Sequence, residues 1–242
     1  MRTLGIIQAR MGSSRLPGKV LRRLGGHTVL DRVVRAARAS GAVADLVVAT
    51  STDPDDDAVA AECDTLGVPC VRGPVDDVLS RFMRVLDTRD SEAVLRFTAD
   101  CPLLDPALIA QVTAAFAAMP EVDYVSTSIP RTLPRGMDVE IVRPGVLRAV
   151  DGLATEHHRT HVTSYVYTHP ELFRVVGLTL QPDLSHLRLT LDTEDDWRLI
   201  SEIVAHFGDD PVSLRTLADW LAERPHLRLL NAHVRQKELS KA

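Results

Sequence analysis

The first 120 residues alternate between short apolar runs and longer segments in which apolar residues recur every three or four positions. The short runs predict buried strands, at Thr3 to Ala9, Asp45 to Ala49, Val68 to Arg72 and Ala93 to Thr98. The periodic segments predict helices, at residues 28–41, 53–66, 76–88 and 106–118. This alternation predicts a parallel sheet wrapped by helices, with ligands bound beyond the carboxyl ends of the strands.

Helix boundaries in this part of the chain carry capping signals. Thr28, Asp53 and Asp105 each precede a predicted helix, and their side-chain oxygens can accept hydrogen bonds from the free N–H groups of the first turn. Gly67 follows the second helix, as is common at helix ends. These residues predict where three helices begin and where one of them ends.

Beyond residue 120 the pattern is less regular. Apolar runs predict strands at Val122 to Thr127, Met137 to Val142, Phe173 to Leu180 and Leu187 to Leu191. Helices are predicted at Thr155 to Thr168, Glu194 to His206 and Ser213 to Glu223, and the tail after Pro225 is ambiguous. No linker, repeat or change in composition separates this part from the first. We therefore predict a single α/β domain.

The composition excludes several classes of protein. With 242 residues, 45% hydrophobic and 25% charged, the chain is typical of globular domains. Its net charge of −5 argues against the broad basic surface that nucleic acids require. No apolar run approaches the roughly 18 residues of a membrane span, and the stretch from Leu4 to Ile7 is too short for a signal peptide. We expect a cytoplasmic protein with neither nucleic acid nor membrane as partner.

The charges are distributed unevenly along the chain. The first 30 residues contain six basic residues and no acidic one, whereas the rest contain 22 basic and 33 acidic residues, a net charge of −11. A positive segment on an acidic protein indicates a small anionic ligand. Lys19 is the only lysine before residue 237. An isolated lysine among arginines suits a site that needs a compact, mobile ammonium, although chance in an arginine-rich chain is the alternative.

A loop of glycine, serine and basic residues follows the first predicted strand, between Arg10 and Lys19. Backbone N–H groups and cationic side chains converge in such loops and hold phosphates. The loop departs from a P-loop, because Gly12 and Gly18 are separated by five residues instead of four and Val20 replaces the hydroxyl that would hold Mg²⁺. The sequence therefore predicts a phosphate-binding loop of another class.

The segment IIQARMGSSRLPGKVL, residues 6–21, resembles the nucleotide-binding signature of the cytidylyltransferases. The match is best with the subgroup related to the spore-coat polysaccharide cytidylyltransferase, cousins of the CMP-Kdo synthetases. It continues in TADCPLLDP, RGMDVEIV, HRTHVTSYVY and RLTLDTEDDW, and so covers nearly the whole chain in order. The resemblance implies a nucleotidyltransferase fold of the glycosyltransferase-A type, with CTP as substrate, Mg²⁺ as cofactor and a homodimer. Residues 1–119 would then form the nucleotide-binding half, and residues 120–242 the half that binds the acceptor and dimerises.

The resemblance assigns the nucleotide site mainly to the first half. Arg10, Arg15 and Lys19 match basic positions of the family, and with Asp100 they are our predicted catalytic residues. We expect the arginines to contact phosphate oxygens as planar, bidentate donors and Lys19 to contact the phosphates as a point charge. Arg81 lies in a segment that resembles the one closing over cytosine and ribose. The predicted nucleotide-binding residues are Gln8, Ala9, Arg10, Met11, Gly12, Ser13, Arg15, Lys19, Gly73, Arg81, Thr98, Ala99 and Asp100.

Two aspartates, Asp100 and Asp192, match the family's metal positions. Each follows a predicted strand, where parallel sheets place their ligands. Mg²⁺ prefers hard oxygen ligands and retains several waters, so one or two carboxylates suffice to bind it. The alternative for each aspartate is a helix cap. Zinc has less support, because His157 and His161 share a helix face without an H-E-x-x-H or H-x-x-E-H motif.

The segments RGMDVEIV and HRTHVTSYVY resemble acceptor-binding segments of the family. They predict acceptor contacts from Arg135, Asp138, Glu140, Arg159 and His161. The family usually has the sequence REHVT where this chain has RTHVT, so that Thr160 replaces a glutamate and the pocket becomes less negative. Together the basic residues of these segments can hold two or three negative charges, which favours a sugar acid or a phosphonate as acceptor.

These features predict a transferase in which an acidic acceptor attacks the α-phosphorus of CTP and pyrophosphate leaves. An acceptor that is already anionic needs no strong general base, in agreement with the lack of a Ser-His-Asp arrangement. One alternative is a glycosyltransferase of the same fold, which would need the D-x-D metal motif that the sequence DCP at residues 100–102 lacks. The other is a module that binds nucleotides without turnover.

Overall fold

The computed structural model describes residues 1–236. Strands and helices alternate through the first 120 residues as predicted, apart from an additional short hairpin at residues 23–28. The strands are β1 (Thr3–Gln8), β2 (Arg23–Leu24), β3 (His27–Thr28), β4 (Asp45–Ser51), β5 (Cys70–Gly73), β6 (Ala93–Thr98), β7 (Tyr124–Ser126), β8 (Glu140–Val142) and β9 (Val175–Gly177). The helices are α1 (Val29–Ala39), α2 (Asp57–Leu66), α3 (Val78–Leu86), α4 (Pro106–Ala117), α5 (Pro144–Asp151), α6 (His157–Thr160), α7 (Ser164–Thr168), α8 (Glu194–Phe207), α9 (Leu214–Ala222) and α10 (Pro225–Arg228). Short 3-10 helices cover Lys19–Leu21 and Pro54–Asp56.

Seven of the strands form one mixed sheet in the order β5-β4-β1-β6-β8-β7-β9, and β2 and β3 form a separate hairpin. All neighbouring strands of the large sheet are parallel except that β8 is antiparallel to both β6 and β7. The predicted fold class, an α/β domain with a mostly parallel sheet, is confirmed. Because β1, β4, β5 and β6 are adjacent and parallel, their carboxyl ends meet at one edge of the sheet.

The sheet separates two hydrophobic cores, as the pattern of β1 illustrates. Leu4 and Ile6 pack into one core with residues of α3 and α5, whereas Ile7 packs into the other with residues of α1, α4 and α8. Successive side chains of a strand point to opposite faces, so a strand that is apolar at nearly every position is covered on both sides. None of the helices in the described residues combines the length and apolar character that crossing a membrane requires.

The predicted helix caps are confirmed. The side chain of Thr28 accepts a hydrogen bond from the Asp31 N–H, and the carboxylate of Asp105 accepts one from the Ala107 N–H. Asp53 caps the 3-10 helix that precedes α2. At α8 the capping box is formed by Thr193 and Asp196, whose side chains each accept from the backbone of the other.

Two predictions for the second half were wrong. The segment Leu187 to Leu191 is not a strand, since its pairing is limited to one bridge between Arg135 and Arg188 and a hydrogen bond from the Leu191 N–H to the Asp100 carbonyl at 2.8 Å. The predicted helix from 155 to 168 is two short helices, α6 and α7. Val162 lies between them with φ of 43°, a conformation that a β-branched residue rarely adopts and that interrupts the helix.

Gly136 allows the loop before β8 to approach the irregular segment 187–191. Its φ is 99°, and a Cβ at this position would lie 2.5 Å from the Leu189 carbonyl. Arg135 is held to the same segment by backbone hydrogen bonds in both directions, with Leu187 and Leu189. The contact fixes the segment that leads into Asp192.

We expect Gly136→Ala to lower the free energy of unfolding by roughly 1–3 kcal/mol, because its Cβ would be strained and would collide with backbone. Gly145→Ala is the matched control, since Gly145 lies in the exposed first turn of α5 and a Cβ there has no neighbour within 4 Å. Alanine should stabilise that turn by up to about 1 kcal/mol. Urea denaturation measures the free energy of unfolding of both variants. Equal free energies for Gly136→Ala and Gly145→Ala would show that the contact at residue 136 does not contribute to stability.

Candidate active site

An open cleft of about 250 Å³ lies at the carboxyl ends of β1 and β6. This is the edge at which ligands were predicted, and the cleft brings together most of the predicted nucleotide residues. Its lining consists of Gln8, Ala9, Arg10, Gly12, Ser13, Ser14, Arg15, Lys19, Val20, Val78, Arg81, Thr98, Ala99, Asp100, Thr160, His161, Asp192 and Gln236. Met11 and Gly73 do not line it.

A buried carboxylate anchors the basic loop that follows β1. Asp56 is 2% exposed, and its Oδ1 accepts a hydrogen bond from the Met11 N–H at 2.6 Å. Its Oδ2 accepts from the Ser51 N–H at 3.1 Å and from the Ser51 hydroxyl. Asp56 therefore ties the loop to the end of β4. The sequence analysis missed this role, because Asp56 belongs to an acidic run that also suits the first turn of a helix.

The Lys19 ammonium joins the two predicted metal positions. Its Nζ donates to Asp100 Oδ2 at 2.8 Å, to Asp192 Oδ1 at 2.8 Å and to the Leu191 carbonyl at 2.7 Å. The side chain is buried, with 8% of the residue exposed. The predicted meeting of Asp100 and Asp192 is thus found, but Lys19 contacts carboxylates where phosphates were predicted. The reason is electrostatic, since a buried ammonium requires nearby anions and this structure provides two.

The charges in this ion pair stabilise one another. Burial lowers the pKa of Lys19, but attraction to Asp100 and Asp192 outweighs burial and raises it above the ordinary value. Burial likewise raises the pKa of Asp100, but the Lys19 charge and hydrogen bond outweigh it and lower that pKa to about 2. Lys19 and Asp100 are therefore both charged at neutral pH.

A second set of contacts orients Asp192. Its Oδ2 accepts from Arg188 at 2.6 Å and pairs with Arg15 at 3.1 Å. Arg188 also contacts the fully buried Asp196 at 2.8 Å, and the Asn231 side chain donates to the same carboxylate at 2.8 Å. Asp192 is consequently held from both sides. The sequence analysis did not predict that Arg188 and Asp196 orient Asp192. Asp196 lies in the acidic first turn of a helix, where an acidic residue is expected as a cap without any further role.

The helix-cap alternative fails for both aspartates. The cap of α4 is Asp105 and the cap of α8 is Thr193. Asp100 and Asp192 instead direct their carboxylates at Lys19. Among residues 1–236 there is no group of three or more histidine, cysteine, aspartate or glutamate side chains placed to hold one metal ion, so a cation at this site would have two protein carboxylates and complete its shell from elsewhere.

Two arginines of the cleft have no carboxylate partner among the described residues. Arg10 is exposed, whereas Arg81 is only 1% exposed, and its Nε has no hydrogen-bond partner. Burial, with repulsion from Arg10 as the next cause, lowers the pKa of Arg81 to about 10. Gly73 permits this placement, since a Cβ there would lie 2.8 Å from Arg81 Cγ. Its Nη1 donates to the Ala49 carbonyl at 3.5 Å. A buried guanidinium that faces a cleft without a carboxylate partner is a strong candidate for binding an anion or a further carbonyl group.

The predicted acceptor residues are divided between the cleft and the interior. His161 lines the cleft, whereas Arg159 donates to the Asp77 carboxylate at 2.7 Å and to the Asp151 carboxylate at 2.8 Å. Glu140 is buried and accepts from the hydroxyls of Tyr124 and Thr163. Arg159 and Glu140 thus hold structural contacts in this state.

The other two acceptor residues lie on the loop before β8. Asp138 pairs with Arg131 at 2.6 Å. Burial and then repulsion from Arg131 lower the pKa of Arg135. Neither lines the cleft, so the structure does not bring the five predicted acceptor residues into one pocket.

Comparison with known proteins identifies the family. The family profile for cytidylyltransferases matches residues 4–206. The chain belongs to the cytidylyltransferase family. The spore coat polysaccharide biosynthesis protein SpsF of Bacillus subtilis is 34% identical over 232 residues, which cover 92% of this chain and 95% of that protein. The resemblance in the sequence is therefore confirmed, and the protein is a CTP-dependent nucleotidyltransferase.

Solved structures of cytidylyltransferases share this fold. A cytidylyltransferase from Leptospira borgpetersenii superimposes with a TM-score of 0.90 at 27% identity, over 98% of this chain and 99% of that one. The fold alone is shared with a CMP:2-keto-3-deoxy-manno-octonic acid synthetase complexed with CTP (TM-score 0.63, 17% identity, 85% and 99% of the chains). It is also shared with a manganese complex of a Mycobacterium tuberculosis protein (TM-score 0.59, 18% identity, 84% and 99%).

We expect Asp56→Asn to raise the KM for CTP and to lower the free energy of unfolding by about 1–3 kcal/mol, because an amide cannot accept from all the donors that now converge on the carboxylate. The exposed neighbour Asp55 offers a control with the same loss of charge, Asp55→Asn. Steady-state kinetics and urea denaturation measure the two effects. An unchanged KM in Asp56→Asn would mean that this anchor does not set the shape of the loop.

Proposed function

We propose that this cytidylyltransferase transfers CMP from CTP to a small anionic acceptor, a sugar acid or a phosphonate, and releases pyrophosphate. The observation that carries the proposal is the charge of the cleft. Its charged lining consists of four cations, Arg10, Arg15, Lys19 and Arg81, and two carboxylates, Asp100 and Asp192, a net charge of +2. A triphosphate with roughly four negative charges, accompanied by one divalent cation, complements that value.

The carboxylate pair fits a divalent cation, and we propose Mg²⁺. Asp100 and Asp192 already converge on one cation, Lys19, and they offer the hard oxygen ligands that Mg²⁺ prefers. The manganese complex of the Mycobacterium tuberculosis protein shows a divalent metal bound within the same fold. When bound, Mg²⁺ would neutralise charge on the triphosphate and polarise the phosphorus for attack.

The cationic side chains would bind and orient the triphosphate. Arg81 is fixed by burial, so its guanidinium is available without reorganisation. Arg10 is exposed at the same cleft and, as a flexible side chain, would close on the phosphates once CTP binds. Arg15, held to Asp192 by one contact at 3.1 Å, is placed to exchange that contact for a phosphate oxygen. Together they would stabilise the charge that builds on the leaving pyrophosphate.

The acceptor would enter from the side of Thr160 and His161, which line the cleft together with Arg81 and Val78. Thr160 donates to the Asp76 carbonyl at 3.2 Å, and threonine brings no negative charge to this end of the cleft. An anionic acceptor meets less repulsion here than it would beside the glutamate that the family usually carries. We also propose that Arg135 and Asp138, which lie outside the cleft in this state, contact the acceptor once it is bound, and that Arg159 and Glu140 position the cleft wall from the interior. The enzyme would act in the cytoplasm as a homodimer through residues 120–242.

The test is a panel of sugar acids and phosphonates, each incubated with CTP and Mg²⁺, in which phosphorus resonance follows new CMP-linked products and pyrophosphate. We expect one class of anionic acceptor to react, with CTP at least tenfold more effective than ATP or GTP. We expect Asp100→Asn to abolish turnover while the fold survives, because a carboxylate of the proposed metal pair is lost.

Asp195→Asn provides the control for this experiment, since Asp195 pairs with Arg198 and His233 outside the cleft. It should leave turnover unchanged. Transfer to neutral sugar alcohols with equal efficiency, or full activity of Asp100→Asn, would contradict the proposal.

A further inference from the structure

The Lys19 ammonium occupies the position that a cation bridging Asp100 and Asp192 would take. Its Nζ lies 2.8 Å from one oxygen of each carboxylate, and the Leu191 carbonyl at 2.7 Å supplies a third acceptor. An ammonium has three N–H donors, so all three are satisfied. In this state a positive charge of the protein itself already bridges the two carboxylates, and Arg15 and Arg188 pair with the second oxygen of Asp192.

A divalent cation cannot join Lys19 in this position. Mg²⁺ holds carboxylate oxygens at about 2.0–2.1 Å, so an ion held by the two oxygens that now accept from Nζ would overlap the ammonium. Two cations at such a separation repel strongly in a partly buried site. Binding of the metal between the carboxylates therefore requires the ammonium to leave.

The displaced ammonium needs new acceptors, and the protein offers few. Apart from Lys19, Asp100 and Asp192, the charged side chains that line the cleft among the described residues are all cations: Arg10, Arg15 and Arg81. A lysine moved into this surrounding without an anion would be unpaired and repelled. The oxygens of a bound triphosphate would supply the missing acceptors, and a lysine, with its flexible stem and compact charge, can move to them.

We propose that Lys19 is an internal cation that keeps free divalent metal out of the Asp100–Asp192 pair and gives up its place only when a triphosphate arrives to receive it. Metal and nucleotide then favour each other's binding, and the coupling is reciprocal. The identity of the triphosphate rests on the proposed function, whereas the exclusion of free metal does not. The single lysine among the arginines of the described residues has a role here that a planar guanidinium cannot fill.

The test is the binding of Mn²⁺ to the nucleotide-free protein, followed by electron paramagnetic resonance of the free ion. We expect Lys19→Met to bind Mn²⁺ at least tenfold more tightly than the wild type, because the cation that bridges Asp100 and Asp192 is removed while both carboxylates remain. Adding Asp100→Asn or Asp192→Asn to Lys19→Met should abolish the gain. Equal Mn²⁺ affinity of Lys19→Met and wild type, or a gain that survives both aspartate substitutions, would overturn the inference.

Arg22→Met is the matched control for charge, since Arg22 belongs to the same basic segment but pairs with Glu194 and does not line the cleft. It should leave Mn²⁺ affinity unchanged, and a gain equal to that of Lys19→Met would mean that general charge sets the affinity. If Lys19→Met is less stable, the rise in melting temperature on adding Mn²⁺ gives the same comparison, and a rise no greater than that of wild type counts against the inference. Tighter Mn²⁺ binding without CMP transfer to any acceptor would leave this inference intact and refute the proposed function alone.

Discussion

The ion cluster around Lys19 is the interaction on which the site depends. It joins the first loop of the chain to Asp100, 81 residues later, and to Asp192, 173 residues later. A buried ammonium without these partners would be strongly unfavourable, and so would two neighbouring carboxylates without a cation. The segments that contain Lys19, Asp100 and Asp192 therefore have to meet. The close backbone approach at Gly136 and the hydrogen bonds of Arg188 hold the segment of Asp192 in position for this contact.

The internal pairing of charges also determines what the cleft can bind. Arg188 is paired with Asp192 and Asp196, and Lys19 with Asp100 and Asp192. Arg10 and Arg81, in contrast, face the cleft without a carboxylate partner in the part of the chain that the structure describes. Of these two arginines, Arg81 is held by burial before any ligand arrives, whereas Arg10 is exposed. A preorganised charge such as that of Arg81 can stabilise the developing charge of a leaving pyrophosphate, because it needs no reorganisation during the reaction.

Local patterns in the sequence were sufficient for the first half of the fold, since β1, α1, α4 and β6 are determined by apolar periodicity and by caps such as Thr28 and Asp105. They also placed Asp100 beyond the end of β6, whereas they brought Asp192 to the same edge through a strand at 187–191 that the structure does not contain. They were insufficient where a residue's role is set by distant partners. The segment 187–191 has a strand-like composition, but its ladder pairing is a single bridge between Arg135 and Arg188. Asp56 resembles any acidic residue at the start of a helix, and its role is set by the hydrogen bond that it accepts from the distant Met11 N–H. Nothing near Lys19 in the sequence reveals that its partners are carboxylates.

The most direct test of this account is a crystal structure of the protein with CTP and Mn²⁺, in which anomalous scattering locates the metal. The account predicts one manganese ion coordinated by the carboxylates of Asp100 and Asp192, the triphosphate on Arg10, Arg15 and Arg81, and the Lys19 ammonium moved from the carboxylates to a phosphate oxygen. A structure in which Lys19 keeps its three acceptors while metal and nucleotide bind elsewhere would contradict it.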